Sequence, residues 1–285
     1  MNLKYFQSLG ELPAGPFIYQ LCSVVTQYWK EPLYRNIAKT EVLTNPIYKG
    51  IQTRIWSVSS RFPTTYTTVL AGLGLIKLIN ELFQKVGDWE QEYDNLDFVI
   101  QYDGVSAGVA QTSWSGTGAP PAFRNSPPSL DNETASSMTV AKTAAEKRDK
   151  GTPDEETVTE MSLFDDVTVT NTPQPEPPMG PKKVFELFTL MLFLIWDREP
   201  LDLVKLDSVG TDTILIDSVP GVYMRLTLDR YGLDQTPVSW EDLVSGLLQV
   251  MQFAIDGGIW YAVRSGFVKD DTIVASLVYG LNQRP

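Results

Sequence analysis

The sequence has no histidine and only one cysteine, Cys22. Without histidine no side chain has an ordinary pKa close to neutrality. Ser–His and Cys–His nucleophile pairs are therefore excluded, together with the commonest zinc ligand. A lone cysteine makes no internal disulfide. Cys22 stands in an apolar run with no cation beside it to lower its pKa, so it is expected to pack as a small buried hydrophobe. Basic residues are scarce as well: 23 Lys and Arg face 35 Asp and Glu, for a formal charge of −12. A duplex binder needs a Lys/Arg stripe to release phosphate counterions, and anionic lipid headgroups repel an acidic chain. Nucleic acid and membrane are thus not expected as partners.

Long hydrophobic runs are missing too. The longest, Val184 to Trp196, is interrupted by Glu186 and Thr189. As a helix it spans only about 20 Å, too little for a bilayer. The opening Met1–Gly10 lacks the apolar core of a secretion leader, and a chain without disulfides is expected inside the cell, in the cytoplasm. Export stays open for a chain whose leader has been trimmed.

What is present is a globular composition, 43% hydrophobic over 285 residues, which suits about two domains. Ten of the nineteen prolines fall between Ser113 and Pro181, in a stretch rich in Ser, Thr, Ala and Glu. Such a stretch offers too little apolar surface to offset the entropy of ordering, so residues 113–181 are expected to form a disordered acidic linker. The flanking modules are then 1–112 and 182–285. The linker holds three hydroxyls that precede proline, Ser126, Thr152 and Thr172, which are candidate phosphorylation sites. It also holds an apolar island, Met161 to Val169. The island reads either as a docking peptide that adds a strand to a sheet edge or as a sticky patch of disordered chain.

The two modules resemble each other. Gly15-Pro16, an apolar run to Trp29 and then Glu31-Pro32-Leu33 are answered by Gly180-Pro181, a run to Trp196 and then Glu199-Pro200-Leu201. Both read as helices that stop before a proline. Gly50 to Val58 and Gly221 to Leu228 alternate as half-buried strands, with Arg54 answering Arg225. Each is followed by a helix in which Gly72 matches Gly246. Glycine inside a helix costs about 1 kcal/mol relative to alanine, so the pair points to a close approach by sheet backbone. Ser239 is positioned to cap the second of these helices, with Glu241 and Asp242 in its first turn. Gly87-Asp88 and Asp256-Gly257-Gly258 suit left-handed ends. Asp103-Gly104 and Asp270-Asp271 read as hairpin turns, which makes Asp103 and Asp271 turn formers. The expected fold is α+β, with two tandem copies of an α-β-β-α-β-β module in a pseudo-twofold pair.

Pro220-Gly-Val-Tyr-Met-Arg-Leu-Thr-Leu228, followed by Val238-Ser-Trp-Glu-Asp-Leu-Val-Ser-Gly-Leu-Leu248, resembles a pattern in hypothetical proteins of filamentous fungi. The resemblance covers the modules and not the linker. Its motifs are structural, and it implies no activity and no site.

Catalytic signatures are sparse. No phosphate-binding glycine loop occurs. Gly104-Val-Ser-Ala-Gly108 has the letters of a nucleophile elbow, but a hairpin precedes Ser106 and there is no histidine base, so it reads as an ordinary strand residue. The acids Asp88, Glu90, Glu92 and Asp94 lack the glycine and ligand order of an EF-hand and read as a solvated helix end or loop. Asp217, Asp229 and Asp256 sit at element ends like ordinary cap and turn residues. No catalytic, cofactor or metal residue is assigned. Arg54 and Arg225 are candidate anion-binding residues.

The function expected is that of a non-enzymatic interaction or assembly protein, whose two tethered lobes bind another protein or a second copy with an avidity gain. An exposed tryptophan would mark an interface. The rivals are an enzyme with a carboxylate and arginine cleft between the lobes, and a fungal effector.

Overall fold

The computed structural model describes residues 2–31, 35–37, 40–57, 67, 71–72, 74–77, 79, 92–102, 105–114, 157–161, 163, 166–205 and 213–282. They divide into two compact units, one made of residues up to 114 together with 157–163, the other of residues 166–282.

The first unit opens with strand β1 (Asn2–Pro13) and helix α1 (Ala14–Lys30). Strands β2 (Glu41–Thr44), β3 (Ile51–Ser57), β4 (Glu92–Tyr102), β5 (Val105–Trp114) and β6 (Thr157–Glu160) follow. They form one sheet in the order β1-β4-β5-β3-β2-β6, antiparallel throughout except that β6 runs parallel to β2. Residues 71–72, 74–77 and 79 are helical, and Ala71, Leu75 and Ile79 form a fully buried stripe at helical spacing.

Helix α1 is apolar nearly all round and buried along most of its length, with Cys22 in the interior as expected. Three buried polar side chains interrupt that surface: Ser23 and Thr26 donate back to the helix carbonyls of Tyr19 and Cys22, and Gln20 reaches the sheet. Gln20 is fully buried, and its amide donates to the Leu43 carbonyl and to Thr53 Oγ1, both at 3.1 Å. Its oxygen accepts from Asn45 Nδ2 at 2.9 Å. Asn45 in turn receives the backbone N–H groups of Ile47 and Tyr48, and Thr53 shares a hydrogen bond with Thr112 at 2.9 Å. A buried amide without partners costs several kcal/mol, so this connected set tolerates Gln20 inside the core and fixes α1 over β2, β3 and β5.

The second unit comprises β7 (Thr168–Pro173), α2 (Pro181–Trp196), β8 (Thr213–Ile216), β9 (Val222–Leu228), α3 (Arg230–Gln235), α4 (Trp240–Gly257), β10 (Val263–Lys269) and β11 (Thr272–Leu281). Its antiparallel sheet has the order β7-β10-β11-β9-β8. Matching β1 to β7, β2 to β8 and so on makes the two orders coincide, with β6 left over.

Cross-strand registers place Val169, Phe267, Ala275 and Leu228 on one face of this sheet, and Met224 and Tyr279 continue it. Phe267 lies against Gly246 of α4, and the Tyr279 ring meets Phe188 of α2 edge-on at 5.5 Å. Both long helices therefore cover the same face, and the other face carries the alternate residues, among them Arg225.

Local signals hold well here. Pro181 occupies the first turn of α2, where its missing N–H costs nothing. Ser239 and Asp242 form a capping box at the start of α4, and Gly258 closes it with φ 60°. Asp270 and Asp271, with φ 48° and 60°, make the β10–β11 turn. The turns expected at Asp103-Gly104 and Gly87-Asp88 lie outside the described residues.

Three expectations are corrected. The first helix of each unit is preceded by a strand, β1 or β7, so each unit starts one element earlier than expected. The segment 113–181 is not a linker throughout: β5 runs through Ser113 and Trp114, and β6 and β7 belong to the two sheets. Their Thr-Val-Thr alternation suits a strand despite the surrounding proline, and Pro173 ends β7, an edge strand where a lost N–H is tolerated. Third, the atoms that exclude a side chain at Gly246 belong to the Phe267 ring, 2.7 Å from where a Cβ would sit, and not to backbone. The close backbone approach is at Gly232 in α3, where a Cβ would lie 2.0 Å from the Ile273 carbonyl oxygen.

Candidate functional site

The candidate anion-binding arginines occupy equivalent places in separate units. Each is the fourth residue of its strand, and each strand follows a glycine with positive φ, 96° at Gly50 and 80° at Gly221. Arg54 lies across from Val42 on β2 and Gln111 on β5; Arg225 lies across from Leu215 on β8 and Val278 on β11. Both sit on the sheet face opposite the helices. Arg225 is exposed and Arg54 half-buried.

A third arginine, which the sequence did not single out, is held by carboxylates. The Arg35 guanidinium pairs with Glu31 and, through both terminal nitrogens, with Glu41, which also accepts from the Tyr28 hydroxyl at 3.2 Å. Its hydrogen bonds to Glu41 raise the Arg35 pKa above its usual value, partly offset by burial. An arginine neutralised in this way ties the end of α1 to β2 and has little charge left for a ligand.

The remaining singled-out residues take structural places. Thr172, expected in a disordered linker, is an exposed β7 residue opposite Arg264, and its carbonyl accepts from Gln174 Nε2 at 3.1 Å. Ser126 and Thr152 lie outside the described residues. Ser106 is a β5 residue paired with Gln101. Glu92 and Asp94, expected in a helix end or loop, begin β4, while Asp88 and Glu90 are outside the description. Asp229 caps α3 by accepting from Gly232 N at 2.9 Å, Asp256 accepts from Gln252, and Asp217 is exposed just after β8. Among the described residues no three His, Cys, Asp or Glu side chains are grouped to hold a metal ion, and no helix is long and apolar enough to cross a membrane.

The apolar island has a more definite place. Met161 donates its N–H to the Thr44 carbonyl in the first unit, directly after β6. Val167 gives its carbonyl to Gln249 Nε2 at 2.7 Å in the second, directly before β7. Met161, Leu163, Val167 and Val169 are all buried. The island thus supplies strand residues to the chain's own sheet.

Among the described residues the exposed large hydrophobics are Leu194, Leu201, Leu203, Leu215, Tyr231 and Ile273. Leu201 and Leu203 are 80% and 50% exposed, yet their loop is tied to the start of α4 by three backbone hydrogen bonds. These run from Val204 to Val238 (2.7 Å), from Trp240 to Asp202 (3.2 Å) and from Glu241 to Pro200 (3.0 Å), and Arg198 stacks over Trp240. The described tryptophans are buried or half-buried, and Trp89 lies outside the described residues.

The sequence matches no protein-family model and no curated protein. Among solved structures it is similar to the tandem DUF26 ectodomain of the Arabidopsis thaliana cysteine-rich receptor-like protein PDLP8, at 6% identity over 99% of this chain and 97% of that one. The TM-score is 0.24, and at that value the likeness bears on neither fold nor function.

Proposed function

We propose that this chain is a tandem duplication of a β-α-β-β-α-β-β module, and that it works by binding other polypeptides and not by catalysis. The coincident strand orders and the paired Gly50/Arg54 and Gly221/Arg225 strands support the duplication. The observation that carries the binding reading is the pair Leu201 and Leu203. Exposed leucines on a mobile loop have little significance, since single exposed apolar residues are normal. Here the backbone is pinned in three places, so little conformational entropy remains to be lost when a partner covers the side chains. Holding apolar side chains in place in this way lowers the ordering cost of covering them.

The test places a photo-reactive amino acid at Leu201 in the full chain and irradiates it in an extract of the source organism. A discrete adduct that excess unmodified chain competes away is expected, and L201D/L203D should no longer compete. No competable adduct from position 201, 203 or 231 would refute the reading.

A further inference from the structure

The two sheets have four edges, and three carry features that discourage further pairing. β1 contains Lys4, Glu11 and Pro13, β6 ends in Glu160, and β7 is threonine-rich and ends in Pro173. The fourth edge, β8, reads Thr-Ile-Leu-Ile and has neither charge nor proline. Alternate residues of an edge strand turn their N–H and C=O groups away from the sheet, so among the described residues β8 offers an unpaired ladder beside an apolar surface.

The first unit has a strand on the equivalent edge. With Arg54 matched to Arg225, the registers equate Val42 of β2 with Leu215 of β8, and Leu43 with Ile216. Leu43 and Ile216 face the helices and are both buried. Val42 and Leu215 face the other way, and there the units differ. Val42 pairs with Val158 of the parallel strand β6 and is 2% exposed, whereas Leu215 is 52% exposed and β8 has no outer neighbour among the described residues. Four residues of β2 suffice to hold β6, so the shortness of β8 is no obstacle.

We infer that the β8 edge binds an extended segment of another polypeptide, added parallel to β8, with β-branched residues and an apolar side chain opposite Leu215. The chemistry is that of β6, Thr157-Val-Thr-Glu160, on the matching edge. Main-chain hydrogen bonds supply the attachment and the residue over Leu215 supplies selectivity. The inference rests on the binding reading above and names one site for it.

The probe is a synthetic peptide with the sequence of residues 155–163, added to the full chain. Slowed amide hydrogen exchange at residues 213–216 is expected. In a strand pair only alternate residues of the added strand donate towards their neighbour. Peptides N-methylated at Thr157 and Thr159, or at Val158 and Glu160, should therefore differ: one pattern loses affinity tenfold or more and the other keeps it. L215K should lose binding by a similar factor while keeping its unfolding midpoint, although its added positive charge favours an acidic peptide. L201K should bind normally.

The inference is overturned if exchange at 213–216 does not change, if protection appears at 41–44 instead, or if both methylation patterns behave alike. Concentration-dependent protection of 213–216 without peptide would make a second copy the occupant and overturn it as well. Failure at β8 with a competable adduct at Leu201 removes only this site; failure of both removes the binding reading.

Discussion

Replacing Tyr279 with Phe is expected to stabilise the second unit. Tyr279 lies on β11, fully buried, with its ring edge-on to Phe188 and Met224 opposite it on β9. Its hydroxyl is buried and has no hydrogen-bond partner among the described residues. A buried, unsatisfied hydroxyl costs about 1–3 kcal/mol. Phenylalanine keeps the ring, its burial and the aromatic pair. It leaves a void about one oxygen in size, which at roughly 24 cal/mol per Å³ costs only a few tenths of a kcal/mol. The net gain should be about 1–2 kcal/mol. The pH dependence gives a second reading. Burial, reinforced by nearby Tyr261, raises the Tyr279 pKa well above the usual value of 10.0. Below pH 10 the phenol is protonated in both the folded and unfolded states, and its contribution does not change with pH. Above pH 10 the unfolded chain releases the proton and the folded chain keeps it, so stability falls by up to about 1.4 kcal/mol per pH unit for this group. Y279F removes that loss, and its advantage should widen between pH 8 and pH 11. Some slope should persist, because burial also raises Tyr261. Urea unfolding followed by tryptophan fluorescence at several pH values measures both effects. A loss of stability at pH 8, or an advantage that shrinks as pH rises, would refute the reasoning.

Two further predictions concern the same unit. Asp242 is buried and accepts from Ser239 N at 2.8 Å and from Lys269 Nζ at 2.7 Å. D242A should cost about 2–4 kcal/mol in urea unfolding, because it strands Lys269 and opens the capping box, whereas K269M leaves the cap in place and should cost about 1–2. Equal costs would show that the cap adds nothing beyond the ion pair. G232A forces a Cβ onto the Ile273 carbonyl and should destabilise by about 3 kcal/mol, while G221A meets only Lys183 Nζ at 3.6 Å and should cost about 1–2 through its positive φ. Thermal unfolding of the two variants side by side checks the order, and G221A proving the worse would reverse the argument.

The features legible in the sequence are those that act over a few residues. The Ser239 cap needs only Asp242 three positions on, the β10–β11 turn needs two residues that tolerate positive φ, and α1, α2 and α4 announce themselves by apolar runs. The alternation of β3 and β9 likewise follows from one buried face, so Arg54 and Arg225 were readable as facing away from it. Of the edge strands, β8 was readable from its apolar Thr213–Ile216 run, whereas β1, β6 and β7 were not. β7 has five residues of Thr, Asn or Pro out of six, and it becomes a strand because β10 supplies a ladder almost a hundred positions away. For the same reason Thr172 moved from an expected linker to a sheet. Which edge is covered is also a tertiary matter: Val42 and Leu215 look alike in sequence, but β6 pairs beside Val42 and no described strand pairs beside Leu215. Close contacts follow the same rule. Gly232 and the Tyr279 hydroxyl carry no local signature, because what surrounds them comes from strands and helices brought together by burial, and a sequence window contains none of those neighbours.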